Sequence, residues 1–395
     1  MSPVDAPDVS IVMPCLNEAA TVRACVRQAL DACAAAGLTA EAIVVDNGST
    51  DGSDIEAMAA GATLVRETRR GYGHAYRRGF ASARGRHVVM GDADGTYDFS
   101  TIPAFVERLE AGAEYVTGSR LRGTIAPGAM PWLHRRIGNP ALTWVLNRLF
   151  GLRVSDAHCG LRAFRADALR RLDLRSGGME LASELAIKAG RRRLAVAEIP
   201  IDYAARPPET ASKLRSFRDG WRHLRFMLLF APSTFIAPGL ALLAVGLTGM
   251  AALVWGPLPF PGHELDVHFL VLASLLTLLG VEALTAGVYA SVFAHARGLE
   301  PAGPRVSAFM AWFTLERGLL IGGAAFMAGF GLDLAVLVVW FGRDFGPLHM
   351  VAPAVAGGTL MVLGAHTIIA SFLLGLMGSS VVSGDEPRWS AFPPE

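Results

Sequence analysis

This chain of 395 residues has only four cysteines and a net charge of only +1, and its N-terminus does not resemble a signal peptide. The N-terminus, MSPVDAPDVSIVMP, has no basic start and no long apolar run, so we expect no signal peptide and a cytosolic first domain. With so small a net charge, +1, nucleic acid is not expected as the main partner. No C-x-x-C pair occurs, and in the cytosol we expect reduced packing residues at Cys15, Cys25, Cys33 and Cys159.

Motifs of several common enzyme classes are also missing. The chain has no Walker A lysine, no H-E-x-x-H and no nucleophile elbow. The segment GYGHAY starts like a dinucleotide fingerprint, but Tyr76 stands where the third glycine belongs and no clear strand precedes it. A Rossmann NAD(P) site is therefore disfavoured.

Charge is sparse in residues 231–380, whereas residues 1–230 are rich in Arg, Asp and Glu. The chain is 52% hydrophobic with a mean hydropathy of +0.38, and this uneven distribution predicts a soluble domain joined to a membrane domain. A bilayer crossing needs about 20 apolar residues. Four segments are long enough, near Phe235–Trp255, Val267–Ala294, Gly318–Phe341 and Met350–Met377.

Basic residues around these segments predict the orientation. The loop Gly256–Asp266 has no Lys or Arg, and the loop after the third span has only Arg343. The positive-inside rule therefore places the N-terminal domain, the 295–317 loop and the C-terminus in the cytosol. The basic flanks are Arg215, Arg218, Arg222 and Arg225 before the first span, and His295, Arg297, Arg305 and Arg317 after the second.

We expect four regions along the chain. Residues 1–215 form a cytosolic catalytic domain, 216–230 an amphipathic helix, 231–380 a four-helix membrane domain, and 381–395 a cytosolic tail. The amphipathic assignment comes from SFRDGWRHLRFMLLF, which interleaves Arg and His with Trp, Phe and Leu at the interface. The alternative is a solvated helix that extends the first span.

Two ionisable residues stand out inside the predicted spans. Glu282 and His366 fall at similar depth, so they could pair, either as a functional site or as a structural helix–helix hydrogen bond. Small residues such as Gly246, Gly249 and Gly280 allow close helix packing and leave room for a homo-oligomer.

Polar residues in the first half follow short apolar runs. Val9–Pro14 ends in Pro14, Ala42–Val45 leads into Asp46, and Val88–Met90 leads into Asp92 and Asp94. Strands that alternate with helices predict an α/β fold with a mainly parallel sheet, whose ligands lie beyond the carboxyl ends of the strands. Two carboxylates at i and i+2 can share one hard cation, which can hold a diphosphate.

Seven stretches in this order resemble the GT-A family-2 glycosyltransferases, and among them the polyprenyl-phosphate sugar synthases of the dolichol-phosphate mannose synthase type. The resemblance covers roughly residues 8–225, and the membrane half is similar to the four-span tail found in part of that family. The stretches are SIVMPCLNEAATV, IVVDNGSTDGS, RRGYGHAYRRGF, VVMGDADGTYD, VTGSRLRG, SDAHCGLRAF and ASKLRSFRDGW.

This resemblance implies a GT-A catalytic domain and a role for each matching residue. Asp92 and Asp94 would hold Mg²⁺ or Mn²⁺ on the donor diphosphate, with Thr96 standing where the family often has Gln. The nucleotide would contact Pro14, Asn17, Glu18 and Asp46, and a loop carrying Lys213 would close over the donor. The acceptor phosphate would meet Arg120, Arg135 and Asn139.

The chemistry agrees with those roles. A departing nucleoside diphosphate builds negative charge, which a cation and nearby Arg or Lys stabilise. A lipid phosphate is already an anion and needs Arg to align it rather than a strong base. We therefore expect inverting transfer of one hexose-type sugar from a UDP- or GDP-sugar to a polyprenyl phosphate. The catalytic residues are expected to be Asp94, Arg120, Arg135 and Asp156.

Four residues near these motifs keep alternative interpretations. Asp156 could orient an arginine, act as a base, or cap a loop. Glu184 could bind sugar hydroxyls or belong to a solvated or ion-paired helix face. His74 and His158 are expected at the edge of the site, and we interpret each as a packing or hydrogen-bonding histidine rather than a catalytic one.

Two other functions compete with this one. A processive polysaccharide synthase usually carries Q-x-x-R-W after its catalytic domain, and the RDGW at Arg218–Trp221 does not match. A catalytically silent membrane scaffold, or a flippase-like partner, would lack metal-binding and phosphate-binding residues. This chain keeps Asp92, Asp94, Arg120, Arg135 and Lys213.

Overall fold

The computed structural model describes residues 6–207, 216–296, 304–347 and 350–382. The chain forms two compact units, Met1–Met227 and Leu228–Glu395. Lys213, expected on the donor loop, lies outside the described residues.

A seven-stranded sheet forms the centre of the first unit. Its strand order is β3-β2-β1-β4-β6-β5-β7, and every neighbouring pair is parallel except the two pairs that include β6. This arrangement confirms the predicted α/β fold with a mainly parallel sheet. The strands are β1 (Val9–Cys15), β2 (Ala40–Asp46), β3 (Thr63–Arg66), β4 (His87–Met90), β5 (Tyr115–Ser119), β6 (Arg162–Arg165) and β7 (Val196–Pro200).

Helices cover both faces of this sheet because their apolar residues recur at helical spacing. Helix α1 buries Val22, Cys25, Val26, Ala29 and Cys33, which form a core with one face of β1 and β2. A second core on the opposite face contains Val12, Tyr76, Phe164 and Leu185. The helices are α1 (Val22–Ala35), α2 (Ser53–Ala59), α3 (Tyr72–Ser82), α4 (Ile102–Glu110), α5 (Asn139–Phe150), α6 (Ala166–Arg171), α7 (Leu181–Arg191) and α8 (Ser216–Leu229).

The reversed strand β6 matters for the site. Arg162 at the start of β6 pairs with Met90 at the end of β4. The loop that precedes β6 therefore lies at the edge where the parallel strands end, next to the residues that follow β4. A residue can therefore reach this edge either by following a parallel strand or by preceding the antiparallel strand β6.

All four cysteines of the chain are buried and unbridged. Burial raises the pKa of Cys25 and Cys159 to about 12 and that of Cys15 and Cys33 to about 11. Because only the thiolate is a good nucleophile, we expect the native protein to resist iodoacetamide at pH 8. Mass spectrometry should find four modified cysteines after denaturation and essentially none before. Rapid modification of any one of them in the native protein would contradict this burial.

Helices long and apolar enough to cross a bilayer occur four times among the described residues, as the sequence predicts. A short antiparallel hairpin, β8 (Leu258–Phe260) with β9 (His263–Leu265), separates the first two. Helix α11 (Pro304–Trp312) precedes the third. The four long helices are α9 (Ser233–Leu253), α10 (Val267–Ala296), α12 (Leu315–Phe341) and α13 (Val351–Val382).

Helices α12 and α13 pack through glycines. A Cβ built on Gly322 would lie 2.7 Å from the carbonyl oxygen of Gly364, and one on Gly364 would lie 2.5 Å from that of Gly322. A Cβ on Gly329 would lie 2.5 Å from the carbonyl oxygen of Gly357. Small residues thus allow the two backbones to approach closely. Gly280 of α10 packs in the same way against the backbone of Leu243, so this predicted small residue serves packing within the chain.

Glu282 and His366 form the expected pair between α10 and α13. His366 Nδ1 lies 3.0 Å from Glu282 Oε1, and its Nε2 lies 2.9 Å from Thr285 Oγ1. The imidazole therefore bridges two groups on α10, as in a helix–helix hydrogen bond. The Glu282 side chain keeps 66% exposure in the isolated chain.

Candidate active site

The loops after β1 and β2 meet at one edge of the sheet. Cys15 is in register with Asp46, and the Asn47 amide donates a hydrogen bond of 2.9 Å to the Cys15 carbonyl. Asp46 is 7% exposed, and its Oδ1 accepts a 2.8 Å bond from the Ser49 amide. Pro14, one residue before Cys15, shares this edge. The predicted convergence of Pro14 and Asp46 is therefore present.

Asn17 and Glu18 join the same edge through the second loop. Asn17 adopts φ of 56°, a left-handed conformation that Asn tolerates better than most residues. Its Oδ1 accepts a 2.8 Å bond from the Thr50 amide, and the Glu18 amide donates to Ser53 Oγ at 2.9 Å. Hydrogen bonds thus fix the two loops to each other beside Asp46.

Asp92 follows β4 and is half-buried. Burial, and then the charge of Asp94, raise the pKa of this carboxyl to about 7 against the opposing hydrogen bond from Tyr76. That bond runs from the Tyr76 hydroxyl to Asp92 Oδ1 at 3.1 Å. Burial and then the charge of Asp92 hold the pKa of Tyr76 well above its usual range, so the phenol remains a donor.

Asp94 is held from both sides. Its Oδ1 accepts bonds from the Thr96 amide at 3.0 Å and the Thr96 hydroxyl at 2.6 Å. Its Oδ2 pairs with the guanidinium of Arg206, which also lies 3.6 Å from Glu18 Oε1. Thr96, which replaces the Gln of the resembled family, therefore orients the second aspartate in this structure.

These residues fit a divalent cation. The cluster sets three carboxylates, Glu18, Asp92 and Asp94, against one guanidinium, Arg206, which leaves excess negative charge. Buried carboxylate oxygens are the hard ligands that Mg²⁺ and Mn²⁺ prefer. The described residues contain no group of three or more His, Cys, Asp or Glu arranged to hold a metal by themselves. Mg²⁺ is commonly held by one or two carboxylates and completes its coordination with water and substrate phosphate oxygens, so Asp92 and Asp94 would suffice as protein ligands.

Arg120 and Asp156 form a buried bidentate ion pair. Arg120 Nε lies 2.7 Å from Asp156 Oδ2, Nη2 lies 2.8 Å from Oδ1, and the Arg120 amide adds a bond of 3.2 Å. Asp156 is 0% exposed and Arg120 is 8% exposed. Burial alone would lower the pKa of Arg120, but Asp156 outweighs it and holds that pKa well above its usual range. Of the roles weighed for Asp156, the geometry fits the orientation of an arginine.

Aromatic rings connect this ion pair to the carboxylates. The Arg120 guanidinium lies 5.3 Å from the centroid of the Tyr203 ring, which lies 5.4 Å from that of Tyr97. The Tyr97 hydroxyl accepts a 2.8 Å bond from the Gly160 amide. A Cβ on Gly160 would lie 2.9 Å from Asp92 Oδ2, so only glycine fits at this position beside the Asp92 carboxylate. The Arg120 guanidinium and the carboxylates of Asp92 and Asp94 therefore belong to one contiguous site.

A second buried arginine shapes the loop before β6. Arg162 is 0% exposed and donates to the carbonyls of Cys159, Ala157 and Ala182 at 2.7, 2.9 and 2.9 Å. Three carbonyl acceptors satisfy its guanidinium without a carboxylate. It fixes the loop that carries Asp156 and Gly160.

Arg135 and Asn139 lie on a separate helical segment that includes a π-helical turn, His134–Gly138. Arg135 is exposed, and the Asn139 amide group contacts Met130 Sδ at 3.5 Å. Among the described residues, no hydrogen bond or ion pair joins either one to Arg120. The structure therefore does not bring the expected acceptor-phosphate residues into direct contact.

Glu184 has a structural position. It is 0% exposed, lies 2.6 Å from Lys188 Nζ, and accepts bonds from the backbone amides of Arg175 and Ser176 at 2.9 and 2.8 Å. Both carboxylate oxygens are therefore engaged within the protein. The ion-paired alternative fits this geometry, and contact with sugar hydroxyls does not.

Replacing Glu184 with Gln should destabilise the fold and leave the KM for the sugar donor unchanged. Removing one partner of a buried ion pair typically costs about 3–5 kcal/mol because the other charge is left uncompensated. Thermal unfolding of the purified protein would measure the loss, and Glu184→Gln/Lys188→Met should recover much of it. A raised donor KM at normal stability would instead assign Glu184 to sugar binding.

His158 is a packing histidine. Burial, and then His223, lower its pKa well below the usual range, so the ring stays neutral. Ser183 Oγ lies 3.3 Å from His158 Nε2 and 2.8 Å from His223 Nδ1. His74 packs instead against the backbone of Gly177, which its amide also contacts at 3.0 Å.

Several site residues are not evident from sequence patterns. Tyr76, Tyr203 and Arg206 contact or neighbour the carboxylates, and none of them directly follows a predicted strand. Tyr76 lies within RRGYGHAYRRGF, but that motif gives it no role, and Tyr203 and Arg206 lie outside the seven stretches. Arg206 has only a weak sequence signal, its place seven residues before Lys213.

Comparison with known proteins gives the family. The family described as Glycosyl transferase family 2 matches residues 10–173, and that described as Glycosyltransferase family 2 C-terminal transmembrane region matches residues 288–378. The low-salt glycan biosynthesis hexosyltransferase Agl6 of Haloferax volcanii is 38% identical over 379 residues, covering 94% of this chain and 90% of that protein.

Two further proteins are similar over about half of the chain. A dolichyl-phosphate hexose transferase of Haloferax volcanii is 33% identical over 181 residues, covering 46% of this chain and 76% of that protein. The crystal structure of glucosyl-3-phosphoglycerate synthase from Mycobacterium tuberculosis has a TM-score of 0.44 and 23% identity, covering 57% of this chain and 80% of the other. The near full-length match to Agl6, together with both family matches, shows that this chain belongs to glycosyltransferase family 2 and carries the family's C-terminal transmembrane region.

Proposed function

We propose that this membrane protein transfers one hexose from a UDP- or GDP-sugar to a polyprenyl phosphate, with inversion at the anomeric carbon. One observation carries the proposal: a buried arginine, Arg120, is held in fixed orientation beside the carboxylate pair Asp92 and Asp94. The names of the related hexosyltransferase and dolichyl-phosphate hexose transferase support the same reaction.

The carboxylate side of the site suits the donor. Asp92 and Asp94 would hold Mg²⁺ or Mn²⁺, and the bound cation would supply charge neutralisation on the departing diphosphate. Arg206 already lies at Asp94, so the chain provides a cation of its own there. Pro14, Asn17, Glu18 and Asp46 would contact the nucleotide, and Lys213 would close over it.

The arginine side of the site suits an anionic acceptor. A phosphate monoester needs alignment rather than deprotonation, and Asp156 fixes the Arg120 fork before the acceptor arrives. Little side-chain entropy is then lost on binding. Arg135 and Asn139 would complete the acceptor-phosphate site from their separate helical segment.

The membrane half would keep this chemistry at the bilayer surface. We assign residues 1–215 to the catalytic domain, 216–230 to an interfacial helix, 231–380 to the spans and 381–395 to a tail. The distribution of basic residues supports a cytosolic catalytic domain and cytosolic termini.

A panel assay tests the proposal. Purified full-length protein in lipid receives Mg²⁺ or Mn²⁺, dolichyl or undecaprenyl phosphate, and each common UDP- or GDP-sugar in turn. We expect release of nucleoside diphosphate only when the lipid phosphate is present, with one sugar per lipid by mass spectrometry, and loss of release in Asp94→Ala. Polymeric product would instead indicate a processive synthase. Absence of lipid-dependent release from every donor would overturn the proposal.

A further inference from the structure

A helical segment of the first unit exposes large apolar side chains. The segment runs from Trp132 through the π-helical turn to Phe150. Its apolar stripe, defined as Trp132, Leu133, Ile137 and Trp144, is exposed by 68, 54, 51 and 68% respectively. Exposure of two tryptophans on one segment is unusual, because such side chains are generally enclosed by protein, a partner or lipid.

The stripe is the outward face of an amphipathic element. Leu133, Ile137 and Trp144 recur at intervals of four and seven residues, the spacing of one helix face. Thr143, Leu146 and Phe150 form the opposite face and are buried. One face of the element thus packs against its own unit, and none of the described residues covers the apolar stripe on the other face.

Cationic residues flank the stripe. Arg135, Arg136 and Arg148 are exposed, and no Asp or Glu occurs between Glu114 and Asp156. A face that combines tryptophan, aliphatic side chains and unopposed arginine complements an apolar layer beneath anionic groups.

We infer that the apolar stripe inserts into the headgroup region of the bilayer that holds the four spans. Tryptophan prefers this depth, and the adjacent arginines would meet anionic lipid headgroups. Four helices of the described chain are long and apolar enough to cross a bilayer, so a lipid surface is available to the full-length protein. A second copy of the chain fits the stripe less well, because a symmetric contact would place Arg136 and Arg148 of one copy against the same two arginines of the other. The inference goes beyond the proposed reaction, because it concerns depth in the membrane and holds for any acceptor.

Depth measurement tests the inference in the full-length protein. Ile137→Cys carries an environment-sensitive fluorophore, and Met58→Cys, at an exposed position of α2, is the matched control. The four native cysteines are buried, so labelling should be confined to the introduced thiol. In nanodiscs that contain phosphatidylglycerol, lipids with nitroxides near the headgroup should quench the label at position 137 strongly and the label at 58 barely. Insertion of about 5–10 Å is the expected depth for such an element.

Two results would overturn insertion of the stripe, and a third would overturn the role given to the arginines. The label at 137 could resemble that at 58 in both emission and quenching, which would place the stripe in water. It could be shielded from water yet insensitive to nitroxide lipid, which would indicate a protein partner. Quenching could also persist unchanged in Arg136→Glu/Arg148→Glu and in neutral lipid, which would remove the role of the arginines. Since none of these results depends on turnover, failure here is distinguishable from failure of the proposed reaction.

Discussion

Replacing Asp94 with Asn is expected to lower sugar transfer about 10²–10³-fold without unfolding the protein, the range found when one group that stabilises developing charge is removed. The substitution keeps the size of the side chain and removes one of two carboxylates that would hold the cation. It also removes one of the two carboxylates beside Arg206, which keeps Glu18 at 3.6 Å. The pKa of Asp92 should fall at the same time, because the Asp94 charge helps to raise it.

Asp98→Asn provides the control for this experiment. Asp98 belongs to the same loop, but its Oδ1 accepts bonds from Gln28 Nε2 at 2.7 Å and the Ser100 amide at 2.9 Å, away from the carboxylate cluster. We expect near-normal transfer for Asp98→Asn, with thermal unfolding recorded for both variants. Equal activity of Asp94→Asn and the unmodified protein over a titration of Mg²⁺ would rule out the assigned role of Asp94.

Removal of Arg120 is expected to damage stability and activity together. Arg120→Met leaves Asp156 as an uncompensated charge at 0% exposure, and breaking a buried pair in this way costs about 3–5 kcal/mol. Sugar transfer should fall to the detection limit, because the guanidinium would align the acceptor. Thermal unfolding and the lipid-dependent assay together measure both effects.

A double variant separates the two effects. Arg120→Met/Asp156→Leu replaces the whole ion pair with apolar side chains, which is often neutral or stabilising for buried pairs. We therefore expect unfolding close to that of the unmodified protein with transfer still absent. Normal transfer by a stable double variant would show that the ion pair only supports the fold.

The sequence predicts the carboxylate side of the site well because parallel strands deliver their C-terminal residues to one edge. Pro14, Asp46, Asp92 and Asp94 all follow this rule, and the structure places them together. Asp156 reaches the same edge for the opposite reason, since it precedes the reversed strand β6. Direction of a four-residue strand is not readable from its composition.

Site residues that come from distant parts of the sequence are harder to predict. Tyr203 and Arg206 reach the site only because the segment after β7 crosses beside Thr96, where the Ala204 amide donates to its carbonyl at 2.9 Å. No local periodicity encodes that crossing. The pairing of Glu282 with His366 was predictable, because depth in a bilayer is counted along a helix of known rise.

The glycine seam between α12 and α13 also bears on how this protein can diverge over evolutionary time. Gly322, Gly329 and Gly364 have no space for a methyl group, whereas a Cβ added at Gly323, Gly331 or Gly358 would meet nothing within 4 Å. Mutational tolerance should therefore differ sharply between glycines that adjoin one another in the sequence. Selection would retain the first set, as it would Gly280 against Leu243, and let the second exchange for alanine or larger apolar residues, so neighbouring positions of one helix can drift in composition at very different rates.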